Sequence, residues 1–168
     1  MLAEKSLDLP YRPCVGIMLI NQAHRVWVGR RRPKWAAGPA AHFWQMPQGG
    51  IDANEDPAEA ALRELAEETG IRSVVIVAES PGWYTYDLPA QLRPKAWGGR
   101  YRGQRQKWFA MRFTGPDHEI ALQRPGHPQE FDAWRWARLD ELEGLIVPFK
   151  RGVYAQVVRD FAAFARPR

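Results

Sequence analysis

Short apolar bursts separated by polar turns dominate the chain. Val15 to Ile20, Val26 to Arg30, Val74 to Ala78, Trp83 to Leu88, Lys107 to Phe113 and Phe131 to Trp136 are each rich in branched or aromatic residues and bounded by Pro, Gly or polar positions, which predicts strands. Two segments follow a helical period instead. The first runs from about Pro57 to Thr69: Asp56 can cap it, Pro57 suits its first position, Glu59 completes an Asp-x-x-Glu variant of the capping box, and Gly70 follows its end. The second runs from about Lys150 to Ala165, where Val153, Tyr154, Val157, Val158, Phe161 and Phe164 recur on one face. Strands in hairpin-like succession with helices interposed irregularly predict an α/β fold built on a mixed sheet covered by helices, not a regular parallel repeat.

At 168 residues the chain is the size of one domain, taken here as residues 1–168. Hydrophobic residues make up 45% of it, enough for a substantial core, so intrinsic disorder is excluded. Its longest apolar runs reach about a third of the roughly 20 residues a bilayer crossing needs. Its first dozen residues carry no hydrophobic signal segment, and a cytoplasmic protein without membrane contact is expected. The single cysteine, Cys14, cannot form an internal disulfide, and its apolar neighbours predict a buried thiol.

Charge changes the picture through its distribution. Lys plus Arg number 24 against 19 Asp plus Glu, a net +5, which favours anionic partners only weakly. Basic residues gather at Arg30, Arg31, Arg32 and Lys34, and again from Arg93 to Lys107, where no acid intervenes. Acids gather between Asp52 and Glu68. On a helical wheel of about 100° per residue, Glu64, Glu67 and Glu68 share an arc of about 100°, while Ala58, Leu62, Leu65 and Thr69 fall on a separate, mainly apolar face. Like charges at these spacings repel, so local stability does not favour the cluster. A hard divalent cation reverses the sign of the interaction, because Mg2+ takes oxygen ligands from a few carboxylates and from substrate phosphates. A solvated acidic face is the plain alternative. The flanks argue against it: Gly49 and Gly50 allow close backbone approach ahead of the helix, and Arg63, beside the acidic arc, can pair with Glu55 and tie the loop to the helix.

Written out, residues 49–71 follow the pattern G-x5-E-x7-R-E-U-x-E-E-x-G-U, with U a bulky apolar residue, through Gly49, Glu55, Arg63, Glu64, Leu65, Glu67, Glu68, Gly70 and Ile71. Here the chain resembles the Nudix hydrolase family. That resemblance implies an α/β/α sandwich with a loop-helix-loop catalytic motif, and hydrolysis of a nucleoside diphosphate linked to another group. Further segments, Tyr11-Arg12-Pro13, Trp44 to Gly50, Trp83 to Pro89, Gly103 to Phe109, Glu130 to Trp136 and Phe149-Lys150-Arg151, are similar to the bacterial RNA pyrophosphohydrolases and the dinucleoside polyphosphate hydrolases.

The resemblance implies roles residue by residue. Glu64, Glu67 and Glu68, with the Gly49 backbone, would bind Mg2+, or Mn2+ or another divalent cation, and Glu130 would add a distant carboxylate. Glu64 is the first choice for orienting or deprotonating the attacking water, with Glu68 and Glu130 behind it, and Arg63 belongs to the same catalytic motif. Arg12, Arg31 and Lys150 match positions near the 5′ phosphates or first bases, and Tyr86 is the aromatic expected at the substrate, with Trp83, Tyr84, Trp134 and Trp136 as further candidates for base stacking. Arg30, Arg32 and Lys107 are expected to supply general electrostatic background. The implied reaction is removal of pyrophosphate from 5′-triphosphorylated RNA; its rival is asymmetric cleavage of diadenosine tetraphosphate and similar molecules. Two segments lean toward the rival: Pro33 to His42 is longer than the corresponding loop of many RNA pyrophosphohydrolases, and Ala90 to Tyr101 contains Trp-Gly-Gly. DNA is not expected as a partner. A binding module that does not hydrolyse its ligand is the remaining alternative, and it would have no use for so many mutually repelling carboxylates.

Overall fold

The structure, a computed structural model, describes residues 8–31 and 43–167. At its centre, strand β1 (Tyr11–Ile20) runs parallel to β7 (Gly103–Phe113) over its whole length, from Tyr11 opposite Gly103 to Ile20 opposite Arg112. Both strands are buried over their central and C-terminal stretches, Cys14 to Ile20 and Trp108 to Met111, which explains the apolar runs there, whereas β7 opens with the polar Gln104 to Lys107. On its other edge, β1 meets β4 (Gln48–Gly50) antiparallel and turns through a hairpin into β2 (Val26–Arg31). β2 lies between β3 (Phe43–Gln45) and β8 (Ala133–Ala137), and the far edge of β7 carries β5 (Val74–Glu79) and then β6 (Tyr84–Asp87). The result is an eight-stranded mixed sheet.

Alternation along the strands divides the core in two. Val15, Ile17, Leu19, Phe109, Met111 and Phe113 face one way and pack on Ala60, Ala61 and Leu65 of helix α1 (Pro57–Thr69). Met18, Ile20, Trp108 and Ala110 face the other way, toward Val153, Tyr154, Val157 and Phe161 of helix α3 (Arg151–Phe161). A one-turn helix α2 (Leu142–Leu145) precedes α3. Helix, sheet and helix therefore form the expected sandwich.

Local chemistry sets the ends of α1. The Asp56 carboxylate accepts from the Ala58 and Glu59 N–H groups, and Gly70 closes the helix at φ 75, a left-handed angle that suits glycine. The predicted strands are all present, with β1 and β7 longer at their starts than expected. The second predicted helix ends at Phe161 and continues as a 3-10 turn over Ala162–Phe164. β3, β4 and α2 were not predicted. Cys14 is buried, as expected. Among the described residues no helix is long and apolar enough to cross a membrane. The Pro33 to His42 segment, with Arg32 and Lys34, lies outside the described residues.

Candidate active site

β4 and the loop after it bring the carboxylate helix against the end of β1. A Cβ at Gly49 would collide with the Glu64 carboxylate, and one at Gly50 with the Arg12 guanidinium, so any larger residue at either position would push these charged groups out of place. The glycine pair thus lets an acid from α1 and a base from β1 approach the same backbone. Behind them a run of amides anchors the floor: Gln106 donates to Gln48 at 2.8 Å and to Gln104 at 2.7 Å, and Trp108 Nε1 donates to Gln106 at 3.1 Å. The Met46 N–H donates to the Tyr154 hydroxyl at 2.8 Å, fastening the β3–β4 connection to α3.

Arg63 is the hub of the loop and helix. Its Nε and Nη2 donate to the two oxygens of Glu55 at 2.8 and 2.9 Å, the pairing expected from the sequence. Nη2 also donates to the Gly50 carbonyl at 2.9 Å, and Nη1 reaches Glu64 at 3.0 Å and Glu67 at 3.2 Å. This bonding holds the Glu55 carboxyl down at about 2. A carboxyl lowered in this way adds stability at pH values above its ordinary range, and that stability is lost as pH falls through the folded value. Glu55→Gln should therefore lower Tm at neutral pH, and the difference from wild type should close between about pH 4.5 and 2, as read by thermal denaturation.

A cleft of about 580 Å³ opens in front of these groups. Glu64, Glu67, Glu68 and Glu130 line it together with Gly49, and so do Arg12, Arg31, Lys150 and Tyr86. Residues predicted from six separate stretches of sequence therefore face one space, with acids and bases both represented. Arg63 lies behind the acids and does not line the cleft. The other aromatic candidates sit elsewhere: Trp83 lies under Arg105 at 4.4 Å, Tyr84 bonds to Asp160, and Trp134 and Trp136 pack edge to face against each other and the α1 side of the core. Lys107, expected as electrostatic background, donates to the Ser80 carbonyl at 2.6 Å, and Arg30 pairs with Asp132 at 2.7 Å. Sequence reasoning did not select Gln48, Gln104, Lys95, Trp97 or Phe149, which also line the cleft. The polar signal that could have found the glutamines is their alternation along β7, Gln104 and Gln106 pointing to the same side.

A profile of the NUDIX domain matches residues 10–157. The chain is a Nudix hydrolase. Over 159 residues it is 57% identical to the RNA pyrophosphohydrolase of Rhodopseudomonas palustris (strain HaA2), covering 94% of this chain and 95% of that one. Over 160 residues it is 58% identical to the RNA pyrophosphohydrolase of Rhodospirillum rubrum, covering 95% and 92%. Among solved structures, the MutT protein from Methanosarcina mazei Go1 superimposes with a TM-score of 0.65 at 20% identity, covering 92% of this chain and 98% of that one. A C. elegans Ap4A hydrolase binary complex superimposes with a TM-score of 0.62 at 20% identity, covering 91% and 96%. These two structures speak for the fold alone. As a Nudix hydrolase, the protein is an enzyme that cleaves phosphoric anhydride bonds.

Nudix hydrolases use divalent cations, and the residues of this cleft suit one. Glu68 is only 9% exposed, and among the described residues its Oε2 has no hydrogen-bond partner. Burial, and then the charges of Glu64 and Glu130, push its carboxyl well above the ordinary range, while the Arg31 charge and a backbone hydrogen bond from Gln48 oppose them. Burial likewise raises Glu64. A buried carboxylate oxygen to which no described residue donates, beside two more carboxylates, has room for a bound cation. Among the described residues no three acidic, His or Cys side chains already enclose a cation by themselves. That arrangement suits an ion such as Mg2+, which keeps waters and substrate oxygens in its shell. Opposite the acids, Lys150 is 7% exposed, and burial together with the Arg31 charge lowers its ammonium to about 7. Its Nζ lies 5.3 Å from the centre of the Tyr86 ring.

Proposed function

We propose that this Nudix hydrolase is a single-domain, cytoplasmic, Mg2+-dependent enzyme that removes pyrophosphate from the 5′-triphosphate end of RNA and leaves a 5′-monophosphate. The observation that carries this reading is the 57 to 58% identity, across nearly the whole chain, to proteins named RNA pyrophosphohydrolase. Glu64, Glu67, Glu68 and Glu130, with the Gly49 backbone, are the groups that would hold the cations. Divalent ions held by these residues would neutralise polyphosphate charge and make a water more acidic.

The chain's own groups do the rest. Glu64, whose carboxyl burial raises above its ordinary value, orients the attacking water and takes its proton, with Glu68 and Glu130 as the next candidates. The water oxygen bonds to phosphorus as the anhydride P–O bond breaks, and the electron pair leaves with pyrophosphate. Arg12, Arg31 and Lys150 bind phosphate oxygens and stabilise that departing charge through charge-assisted hydrogen bonds. Tyr86 and Phe149, whose rings lie 5.7 Å apart at the same wall, flank the base. Arg63 acts as a positioning residue, setting Glu55, Glu64 and Glu67 without touching substrate.

The expected result is pyrophosphate release from a short triphosphorylated RNA in Mg2+ and none in EDTA, with kcat/KM above that for diadenosine tetraphosphate. Product identification by chromatography checks the first, and substrate competition checks the second. A higher kcat/KM for the dinucleotide would overturn the RNA assignment and favour the second reading, which the presence of Trp97 of the Trp-Gly-Gly stretch in the cleft wall supports. RNA binding should also weaken steeply with added salt, whereas a flat response fits a small nucleotide.

A further inference from the structure

Arg12 is held in an unusual setting for a long cation beside an acidic helix. Among the described residues it has no carboxylate in ion-pair contact; its Nη1 donates to the weakly accepting Cys14 Sγ at 3.2 Å. Its guanidinium carbon lies 5.6 Å from the centre of the Trp97 ring, and the bare Cα of Gly50 passes close on another side. Trp97 in turn occupies a backbone conformation that a bulky residue rarely adopts. Its φ is 50, and Gly98 and Gly99 follow at 65 and 74, so three successive residues are left-handed. Hydrogen bonds lock the turn: Gly99 N–H donates to the Ala96 carbonyl at 2.9 Å, and Arg100 Nε donates to the Trp97 carbonyl at 3.2 Å. Tyr101 meets the Trp97 ring edge to face at 6.1 Å. Strain of this kind persists only where the surroundings enforce it, and here they aim one indole at one arginine.

We infer that Trp97 is a positioning residue: the Trp-Gly-Gly turn places its ring against Arg12 so that the guanidinium meets the substrate polyphosphate already in place. The inference rests on the proposed role of Arg12 as a phosphate ligand. A free arginine side chain loses considerable rotamer freedom when it binds, and a ring against one face removes part of that loss beforehand. The cation–π contact leaves the edge N–H groups available for oxygen acceptors. The benefit falls on substrate affinity and not on the chemical step.

A double-mutant cycle on the full-length enzyme, assayed with triphosphorylated RNA in Mg2+, tests this. Trp97→Leu is expected to raise KM by roughly two- to thirtyfold, the span of a cation–π contact, with kcat changed by less than about twofold. Trp97→Phe, which keeps an aromatic face, should recover most of the lost affinity. In an Arg12→Gln background, itself expected to raise KM by about tenfold or more, Trp97→Leu should add nothing further. Additive effects of the two substitutions, or a fall in kcat at unchanged KM for Trp97→Leu, would overturn the positioning role while leaving the proposed reaction intact. An Arg12→Gln enzyme with wild-type KM would overturn both the phosphate role of Arg12 and the inference built on it.

Discussion

Glu68→Gln should lower kcat by about two to four orders of magnitude and, in the metal-free protein at neutral pH, raise Tm. The two effects share one cause. Among the described residues the buried Glu68 Oε2 has no hydrogen-bond partner, and it lies close to Glu64 and Glu130, so its negative charge suits a cation and disfavours the fold when none is present. Glutamine keeps the shape and removes the charge. Because the folded carboxyl titrates above its ordinary value of 4.5, wild-type stability falls as pH rises from that value through the folded pKa. The Tm advantage of the variant should therefore be largest at neutral pH and vanish below about pH 4, where both proteins carry a neutral group. Turnover in Mg2+ and thermal denaturation in EDTA at the two pH values measure it. Near-normal turnover would remove Glu68 from the catalytic set.

Arg63→Gln should destabilise the metal-free protein by about 2 kcal/mol and reduce kcat/KM by about a hundredfold. The guanidinium hydrogen-bonds to three carboxylates and one carbonyl and lies 3.6 Å from a fourth carboxylate, Asp52, so its loss leaves Glu55, Glu64 and Glu67 without the counter-ion they share. Removing one partner of a fully buried pair costs about 3 to 5 kcal/mol; here Arg63 is 29% exposed and Glu67 36%, and solvent screening reduces the loss. For a protein of this size, about 2 kcal/mol corresponds to a Tm drop of about 4 to 8 °C. Lysine should not rescue activity, since a single ammonium cannot reproduce the forked contact with Glu55. Added Mg2+ should restore more Tm to the variant than to wild type, because the ion takes over part of the missing neutralisation. An Arg63→Gln enzyme with unchanged Tm and kcat/KM within about twofold of wild type would show that the hub is dispensable.

Where the determinants are local, the sequence was readable. α1 begins and ends where Asp56, Pro57 and Gly70 say it should, and its acidic face follows from the helical period alone. β3 and β4 are three residues each, and Gly49 and Gly50 have no preference for extended structure; their pairing is decided by β1 and β2, which the local pattern does not record. The early start of β1 at Tyr11, through Pro13, likewise depends on a partner near Gly103. In the site, the spacing of Glu64, Glu67 and Glu68 was legible, and so was the pairing of Arg63 with Glu55. What spacing could not reveal is how deeply each group sits. Glu68 and Lys150 are buried while Glu67 is partly open, and that difference comes from β4, β6 and the turn at Pro148 closing around the cleft. Nor could it show that Trp134 and Trp136 occupy each other and the core, or that Trp97 faces an arginine.

The parallel pairing of β1 with β7 also governs when the protein can become itself. On a ribosome, the opening strand and the acidic helix emerge long before Gly103 to Phe113, the segment that must lie alongside Tyr11 to Ile20. Until then that first strand has one long edge without its permanent neighbour, so the nascent amino-terminal half waits for β7, and β8 and α3, made later still, complete the assembly.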